Sequence, residues 1–333
     1  MTVPTDMRAA QVDRPGPIDT IEVGRLPVPD IGDTEALVAV TTTAVNHVDL
    51  LVRSGAYRTV LPSPFVIGRD LVGTVVAVGD RVDDFAIGDA VWCNSLGHDG
   101  RQGTFAEYAA VPVERLYRLP GEVDPELAVG LLHSGATAHL GLLREGGLAT
   151  GDRVFIGGAG GAVGSAAVRI AARLGAVVSA SASPEDAAWV RSLGAGTVHD
   201  YREPALPDRL RAEVPGGFDL YWDTSGHHDF PATLPLMAQG GRIIVAAGMT
   251  ATVSLPVGDL YTRDVSLRGF AISNASVTDL AEAAGTVNAL LVEDGPLPVR
   301  IGARLSLAEA ARAHRLLDPD EPESVRGKVV VRL

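Results

Sequence analysis

The stretch RVFIGGAGGAVGSAAVRIAARLGA, residues 153–176, constrains the fold more than any other part of the chain. An apolar run ends in glycines, and a segment of helical spacing follows whose apolar face carries Val163, Ala167, Ile170 and Leu174. Gly158, Gly161 and Gly164 stand three apart. That spacing permits a tight turn, lets backbone N–H groups approach a pyrophosphate, and lets the helix pack closely on the strand. The positive end of the helix dipole, at Ala162 and Val163, then faces the anion. A flexible Gly/Ala turn without a ligand is the plain alternative, and the alternation of strands and helices around the stretch favours the phosphate loop.

That alternation begins at about Glu122. Asp124-Pro125 predicts a helix start, and after the loop come AVVSAS, a helix from Pro184 to Leu193, TVHD, FDLYWDT, a short helix before Gly240, GRIIVAA and VSLRGFA. Six strands of this order fit one doubly wound α/β domain with a parallel sheet. Before it, EALVAVTTTAV, DLVGTVVAVG and GDAVWC read as strands of a mostly β domain punctuated by Gly and Pro. The expected division is 1–122, 123–270 for nucleotide binding, and 271–333 as a return whose closing strand GKVVVRL pairs with the first domain.

Composition narrows the partners. A chain of 333 residues with 46% apolar residues suits two cores. A net charge of -13, with Lys328 the only lysine, repels phosphate backbones and argues against nucleic acid. No apolar run is long enough to cross a membrane and the N-terminus lacks a signal-like pattern, so a cytoplasmic protein is expected. Cys93 alone can form neither an internal disulfide nor a thiolate zinc cage.

Coenzyme choice rests on the end of the strand after the glycine loop. There Ser181, Ala182 and Ser183 stand where a carboxylate would repel a 2'-phosphate, which favours NADP; Glu185 and Asp186 follow closely and argue the other way. Tyr201 and Arg202, beyond the next strand, are candidate contacts, although Arg202 and Arg191 also read as solvated cations. Gly248, ending VAAG at the carboxyl edge of the sheet, either gives a nicotinamide room to come close or is a simple turn.

The segment AVNHVDLLVRSGAY, residues 44–57, gathers Asn46, Asp49, Arg53 and Tyr57. Asn46 suits a helix N-cap, and Asp49 and Arg53 at i and i+4 suit an intrahelical ion pair as well as a substrate contact. His47, beside the cap, reads as a surface group. His133 with His139, and His227 with His228, lack a third ligand and make poor metal sites.

Together with PFVIGRDLVGTVVAVGDRVDDFAIGDAVW, GTFAEYAAV, GATA, FDLYWDTSG, GGRIIVAAG and LAEAARAHRLLD, these blocks resemble the medium-chain dehydrogenase/reductase superfamily, and within it the zinc-free quinone oxidoreductase (zeta-crystallin-like) family. The resemblance implies a GroES-like catalytic domain plus a Rossmann cofactor domain, a homodimer, and an NADPH-dependent reductase of quinones or enones. It places Asn46, Asp49, Arg53 and Tyr57 around the nicotinamide and the substrate mouth, Thr137 of GATA against the nicotinamide, and Gly248 and Phe270 among the cofactor contacts. Zinc members carry a cysteine where this chain has Asn46 and a His-Glu pair where it has Arg69-Asp70, so no metal is expected. An enoyl or alkenal reductase with one dedicated substrate, and a non-catalytic NADPH-binding redox sensor, are the alternatives.

Overall fold

Strands form where the β-branched runs lie. In the computed structural model, which describes residues 3–333, they are β1 (Asp6–Val12), β2 (Glu22–Pro27), β3 (Glu35–Val45), β4 (Phe65–Val66), β5 (Asp70–Val78), β6 (Ala90–Cys93), β7 (Tyr108–Pro112), β8 (Tyr117–Arg118), β9 (Arg153–Gly157), β10 (Val177–Ala182), β11 (Thr197–Asp200), β12 (Phe218–Asp223), β13 (Met237–Val245), β14 (Ser266–Gly269), β15 (Ile301–Ser306) and β16 (Lys328–Arg332). Four helices recur below: α1 (His47–Ser54), α2 (Pro125–His139), α3 (Ala162–Arg173) and α4 (Ala187–Ser192).

Two units result, each with its own core. The second unit, Ser134–Asp279 with Asp294–Pro298, holds a six-stranded sheet in the order β11-β10-β9-β12-β13-β14. Every pairing in it is parallel, and the order reverses between β9 and β12, as in a doubly wound Rossmann sheet. Parallel strands covered on both faces need apolar residues on both sides, and Val154, Phe155 and Ile156 of β9 are all enclosed. Phe155 stacks on Tyr221 of β12 with ring centroids 4.6 Å apart.

The first unit joins the N-terminal region to Leu280–Glu293 and Val299–Leu333. Its larger sheet runs β15-β16-β3-β5-β6-β8, with β7 also on β3, and a smaller one runs β2-β1-β4; the architecture is the GroES-like one. The closing strand finds the expected host, since β16 pairs antiparallel with β3 in the register Val329 to Val45. That pairing buries Val45, Val329 and Val331 with Phe65, Ile67, Phe105 and the apolar face of the helix Ala310–Leu317.

The division falls inside α2, between His133 and Ser134, rather than at residue 122, and the return begins at Leu280 rather than 271. Contacts of the first half of α2 explain the shift. Glu126 accepts from both Arg304 of β15 and Arg332 of β16, and a side chain at Gly130 would strike Val299 at 2.6 Å.

In the helix Ala310–Leu317, His314 is fully enclosed, its ring edge-on to Phe105 at 5.9 Å, with neither ring nitrogen partnered among the described residues. Burial, then the charge of Arg53, push its pKa down to about 3, so the native ring stays neutral while the unfolded ring takes up a proton below its ordinary value. Stability therefore falls with acidification from about pH 6.5 downward, by about 2 kcal/mol at pH 5 from this group alone. His314→Leu should remove that part of the acid slope; denaturant midpoints at pH 7 and pH 5 that shift equally in variant and parent would refute it.

Candidate active site

The register of β16 against β3 carries Lys328 to the end of β3, opposite Asn46, the residue that caps α1. The Lys328 ammonium donates to Asn46 Oδ1, and Asn46 Nδ2 donates to Asp70 Oδ2 at 2.9 Å. The amide thus bridges a buried cation and a buried carboxylate, which fixes which end is oxygen. Asp49, one turn into α1, turns back and accepts from the Asn46 N–H at 2.7 Å, as an N3 carboxylate does in a capping box. Asp70 Oδ1 faces His133 Nδ1 at 3.9 Å.

Asn46, Asp49, Arg69, Asp70 and Lys328 are each at most 4% exposed, so their charges are shared among themselves. Burial pushes the Asp49 carboxyl up to about 6 and the Asp70 carboxyl up to about 7. Arg69 and Lys328 oppose both rises; for Asp70 the Lys328 ammonium is the larger opposing cause. Burial lowers the Lys328 pKa against the pull of Asp70 and Asp49. It also holds the His133 ring neutral, with Arg69 and Lys328 acting in the same direction. Near neutral pH this cluster gains and loses protons easily.

The other residues expected here separate. Arg53, four residues beyond Asp49 in α1, is buried and donates to the Gly16 carbonyl, so the i,i+4 pair with Asp49 does not form. Tyr57 is half-buried, with its ring edge-on to His98 at 5.9 Å and its charge environment shared with Arg69. His47 is exposed, as a residue beside a cap is expected to be. Three members of the cluster escape sequence reasoning as site residues: Arg69, Asp70 and Lys328. A signal existed for one of them, since the chain's sole lysine sits among valines in a strand, where a solvated cation has no place.

In the second unit the glycine loop leads from β9 into α3. Its turn is closed by Gly161 N–H to Gly158 O at 3.0 Å and tied to β10 by Ala159 N–H to Ser181 O at 2.9 Å. Ser165 Oγ donates to Ala159 O, and Trp189 of α4 donates to Ser165 Oγ, each at 2.9 Å, so the loop is braced from behind. Ala162, Val163 and Gly164 form the first turn, whose N–H groups have no acceptor within the helix. A Cβ on Gly164 would lie 2.3 Å from Gly158 O and 2.7 Å from Ala159 Cα, so the cradle closes only around glycine. These features fit a dinucleotide pyrophosphate.

Residues expected at an adenosine end are arranged less simply. Ser181 and Ser183 are buried, and Ser183 Oγ donates to Asp186 Oδ2 at 3.1 Å; that carboxylate lies 2.6 Å from where a Gly160 Cβ would stand. Arg202 is forked onto Asp200 at 3.0 and 3.1 Å and lies near the exposed Tyr201 ring. Thr137 is buried in the second half of α2; Phe270 follows β14 and lies edge-on to Trp222 at 6.0 Å, with Arg144 over its ring; Gly248 follows β13. Among the described residues no group of three or more His, Cys, Asp and Glu could hold a metal ion.

Residues 32–121 match the description "Alcohol dehydrogenase GroES-like domain" and residues 162–288 match "Zinc-binding dehydrogenase". The quinone oxidoreductase of Lama guanicoe is 30% identical over 332 residues, covering 98% of this chain and 98% of that protein. The chain belongs to the quinone oxidoreductase family of the medium-chain dehydrogenase/reductase superfamily. Another relative, the chloroplastic NADPH-dependent alkenal/one oxidoreductase of Arabidopsis thaliana, is 32% identical over 255 residues, covering 74% of this chain and 64% of that protein. Among solved structures, an NAD-dependent alcohol dehydrogenase aligns at a TM-score of 0.86 with 33% identity, over 98% of this chain and 100% of that one. A mycobacterial family member complexed with NADPH aligns at 0.83 with 29% identity, over 98% and 100%.

Removing one partner of a buried charge cluster strands the others. Lys328→Met should cost about 3 kcal/mol at pH 8, where Asp49 and Asp70 are ionised, and clearly less at pH 5, where both have taken up protons. Denaturant melts at the two pH values check this; an equal cost at both would show that the ammonium does not balance these carboxylates.

Proposed function

We propose that the chain is an NADPH-dependent reductase of quinones or α,β-unsaturated carbonyl compounds that works without a bound metal. The carrying observation is the glycine cradle of the second unit, closed to a side chain at Gly164 and lined by the first-turn N–H groups of α3, which have no acceptor within the helix. The acceptor class follows the relatives, one a quinone oxidoreductase and one an NADPH-dependent alkenal/one oxidoreductase. Independence from metal rests on the donor set, because the Asn46 amide and the Arg69 guanidinium cannot replace thiolate and imidazole ligands.

When bound, reduced nicotinamide supplies a hydride to an electron-poor carbon. This chain's residues orient and protonate. Gly158, Gly161, Ala162, Val163 and Gly164 hold the pyrophosphate; Ser181, Ser183, Tyr201 and Arg202 meet the adenosine end; Thr137, Gly248 and Phe270 border the nicotinamide. Tyr57 Oη donates to the carbonyl oxygen, Asn46 orients it with its remaining N–H, and Asp49 and Asp70 store a proton near neutral pH. Arg53, anchored on Gly16, steadies the far end of α1.

A second reading of the coenzyme, NADH, is favoured by the Asp186 carboxylate beside Gly160 and by the engagement of Arg202 with Asp200. Steady-state oxidation of both coenzymes with a panel of quinones, enones and enoyl thioesters tests both readings. NADPH should be oxidised with at least one class, and Asp186→Asn should raise the NADPH:NADH ratio of kcat/KM by about tenfold by removing a charge that repels the 2'-phosphate. Flat traces across the panel, with coenzyme still bound, would leave a non-catalytic NADPH-binding protein; turnover of a single enone class would mark a dedicated enoyl or alkenal reductase.

We also propose a cytoplasmic homodimer. No described helix is long and apolar enough to cross a membrane, and Cys93 is buried and free of a disulfide. Among the described residues β14 pairs only with β13 and leaves an edge, on which Leu267 is exposed. Light scattering should give twice the chain mass, and Leu267→Glu should shift the mass toward one chain; a parent that runs as a monomer at micromolar concentration rules the dimer out.

A further inference from the structure

The loop from Asn94 to Thr104 packs over the start of β5. Gly68 leaves no room for a side chain, since a Cβ there would meet the Phe105 ring at 2.3 Å, and Leu96 N–H reaches the Arg69 carbonyl at 3.4 Å. The same loop is tied to the segment after Tyr57 by Asp99 N–H to Thr59 Oγ1 at 3.0 Å and Gly100 N–H to Val60 O at 2.9 Å. Loop and segment therefore hold His98, Arg101, Tyr57 and Arg69 in one neighbourhood, with Arg115 anchored at its side by Ser95 Oγ at 3.5 Å.

Positive charge gathers there in a chain whose net charge is -13. Arg69 is 2% exposed, and its Nε and Nη2 have no hydrogen-bond partner among the described residues; Arg101 Nε and His98 Nδ1 are also buried without one. Burial, then the neighbouring Arg115, lower the Arg101 pKa, as expected where like charges crowd. Four carboxylates lie near. Asp49 and Asp70 pull on the Arg69 charge but make no hydrogen bond with it among the described residues, and Asp99 and Glu114, both exposed, approach Arg101 and Arg115 only at 4.0 and 3.9 Å. The unspent Nε–Nη2 edge of a guanidinium presents two parallel donors, which is the fork that matches the two oxygens of a carboxylate.

We propose that Arg69, His98 and Arg101 form an anion-binding subsite for a carboxylate group of the substrate, so that the preferred substrates are quinones or unsaturated carbonyl compounds carrying a carboxylate. The substrate half of this statement rests on the reductase reading above; the anion site does not. An incoming carboxylate takes the Arg69 fork, with His98 and Arg101 beside it. A carboxylate is the better match than phosphate because no helix N-terminus or run of bare amides contributes.

The test compares acetylacrylate with its methyl ester as acceptors, in the full-length protein and in Arg101→Gln, whose side chain is only partly buried. Calorimetry with succinate and with inorganic phosphate runs beside it. The acid should exceed the ester in kcat/KM by about tenfold, and Arg101→Gln should bring that ratio close to one. A parent that reduces the ester as well as the acid overturns the subsite and leaves the reductase reading intact. If neither acceptor nor any quinone is reduced, the reductase reading fails, and succinate uptake by the parent but not by Arg101→Gln still establishes the anion site. Absence of succinate uptake by the parent, or tighter binding of phosphate than of succinate, overturns it.

Discussion

Charge buried without compensation is the costliest feature a domain can carry, and the first unit is organised around avoiding it. Asp49 and Asp70 lie on separate elements, the first turn of α1 and the first residue of β5, and neither is reached by solvent. Their compensation arrives from the opposite end of the chain, because β16 must lie against β3 in one register for Lys328 to meet the Asn46 amide. A slip of one residue would turn Lys328 to the other face and leave a valine beside two carboxylates. The final strand is therefore part of the site as well as of the core: its alternate residues Val329 and Val331 seal the apolar side, while Lys328 closes the polar side.

Local periodicity made much of the architecture legible. The strand–glycine–helix order at residues 153–176 led directly to the parallel sheet, and Asn46 was recognisable as a cap from residue type and position alone. What stayed hidden was pairing across long sequence distance. Nothing near Lys328 announces Asn46, 282 residues away, and Asp70 reads as the polar start of an ordinary strand. The i,i+4 spacing of Asp49 and Arg53 was visible, yet other partners prevailed: the local N-cap amide of Asn46 took the carboxylate and the distant Gly16 carbonyl took the guanidinium. The boundary within α2 was hidden for the same reason, since the helix pattern is continuous while Glu126 answers to arginines on β15 and β16.

The two ends of the coenzyme site illustrate how unequally sequence specifies ligand contacts. At the proposed pyrophosphate end backbone would do the binding, so glycine spacing is a nearly complete description, and the bracing of Ala159 by Ser165 and Trp189 adds rigidity. At the proposed adenosine end side chains would decide, and there Ser181 and Ser183 hold the strand-end positions while Asp186, reached through a turn, brings its carboxylate back to Ser183 and Gly160.

A cluster whose positive charge comes from side chains inherits their titration. Asp49 at about 6 and Asp70 at about 7 lie within reach of Lys328 and Arg69, so the balance of the cluster changes over the same range in which a reductase must deliver a proton to its product. Below that range both carboxyls are neutral and the two cations are in excess, which strengthens the field on a developing oxyanion; above it the carboxylates cancel that field. The Asn46 amide transmits neither proton nor charge by itself, but by holding one hydrogen bond to each side it keeps ammonium and carboxylate apart. Direct contact would turn them into a simple buried ion pair; the bridging amide instead gives each charge its own hydrogen bond.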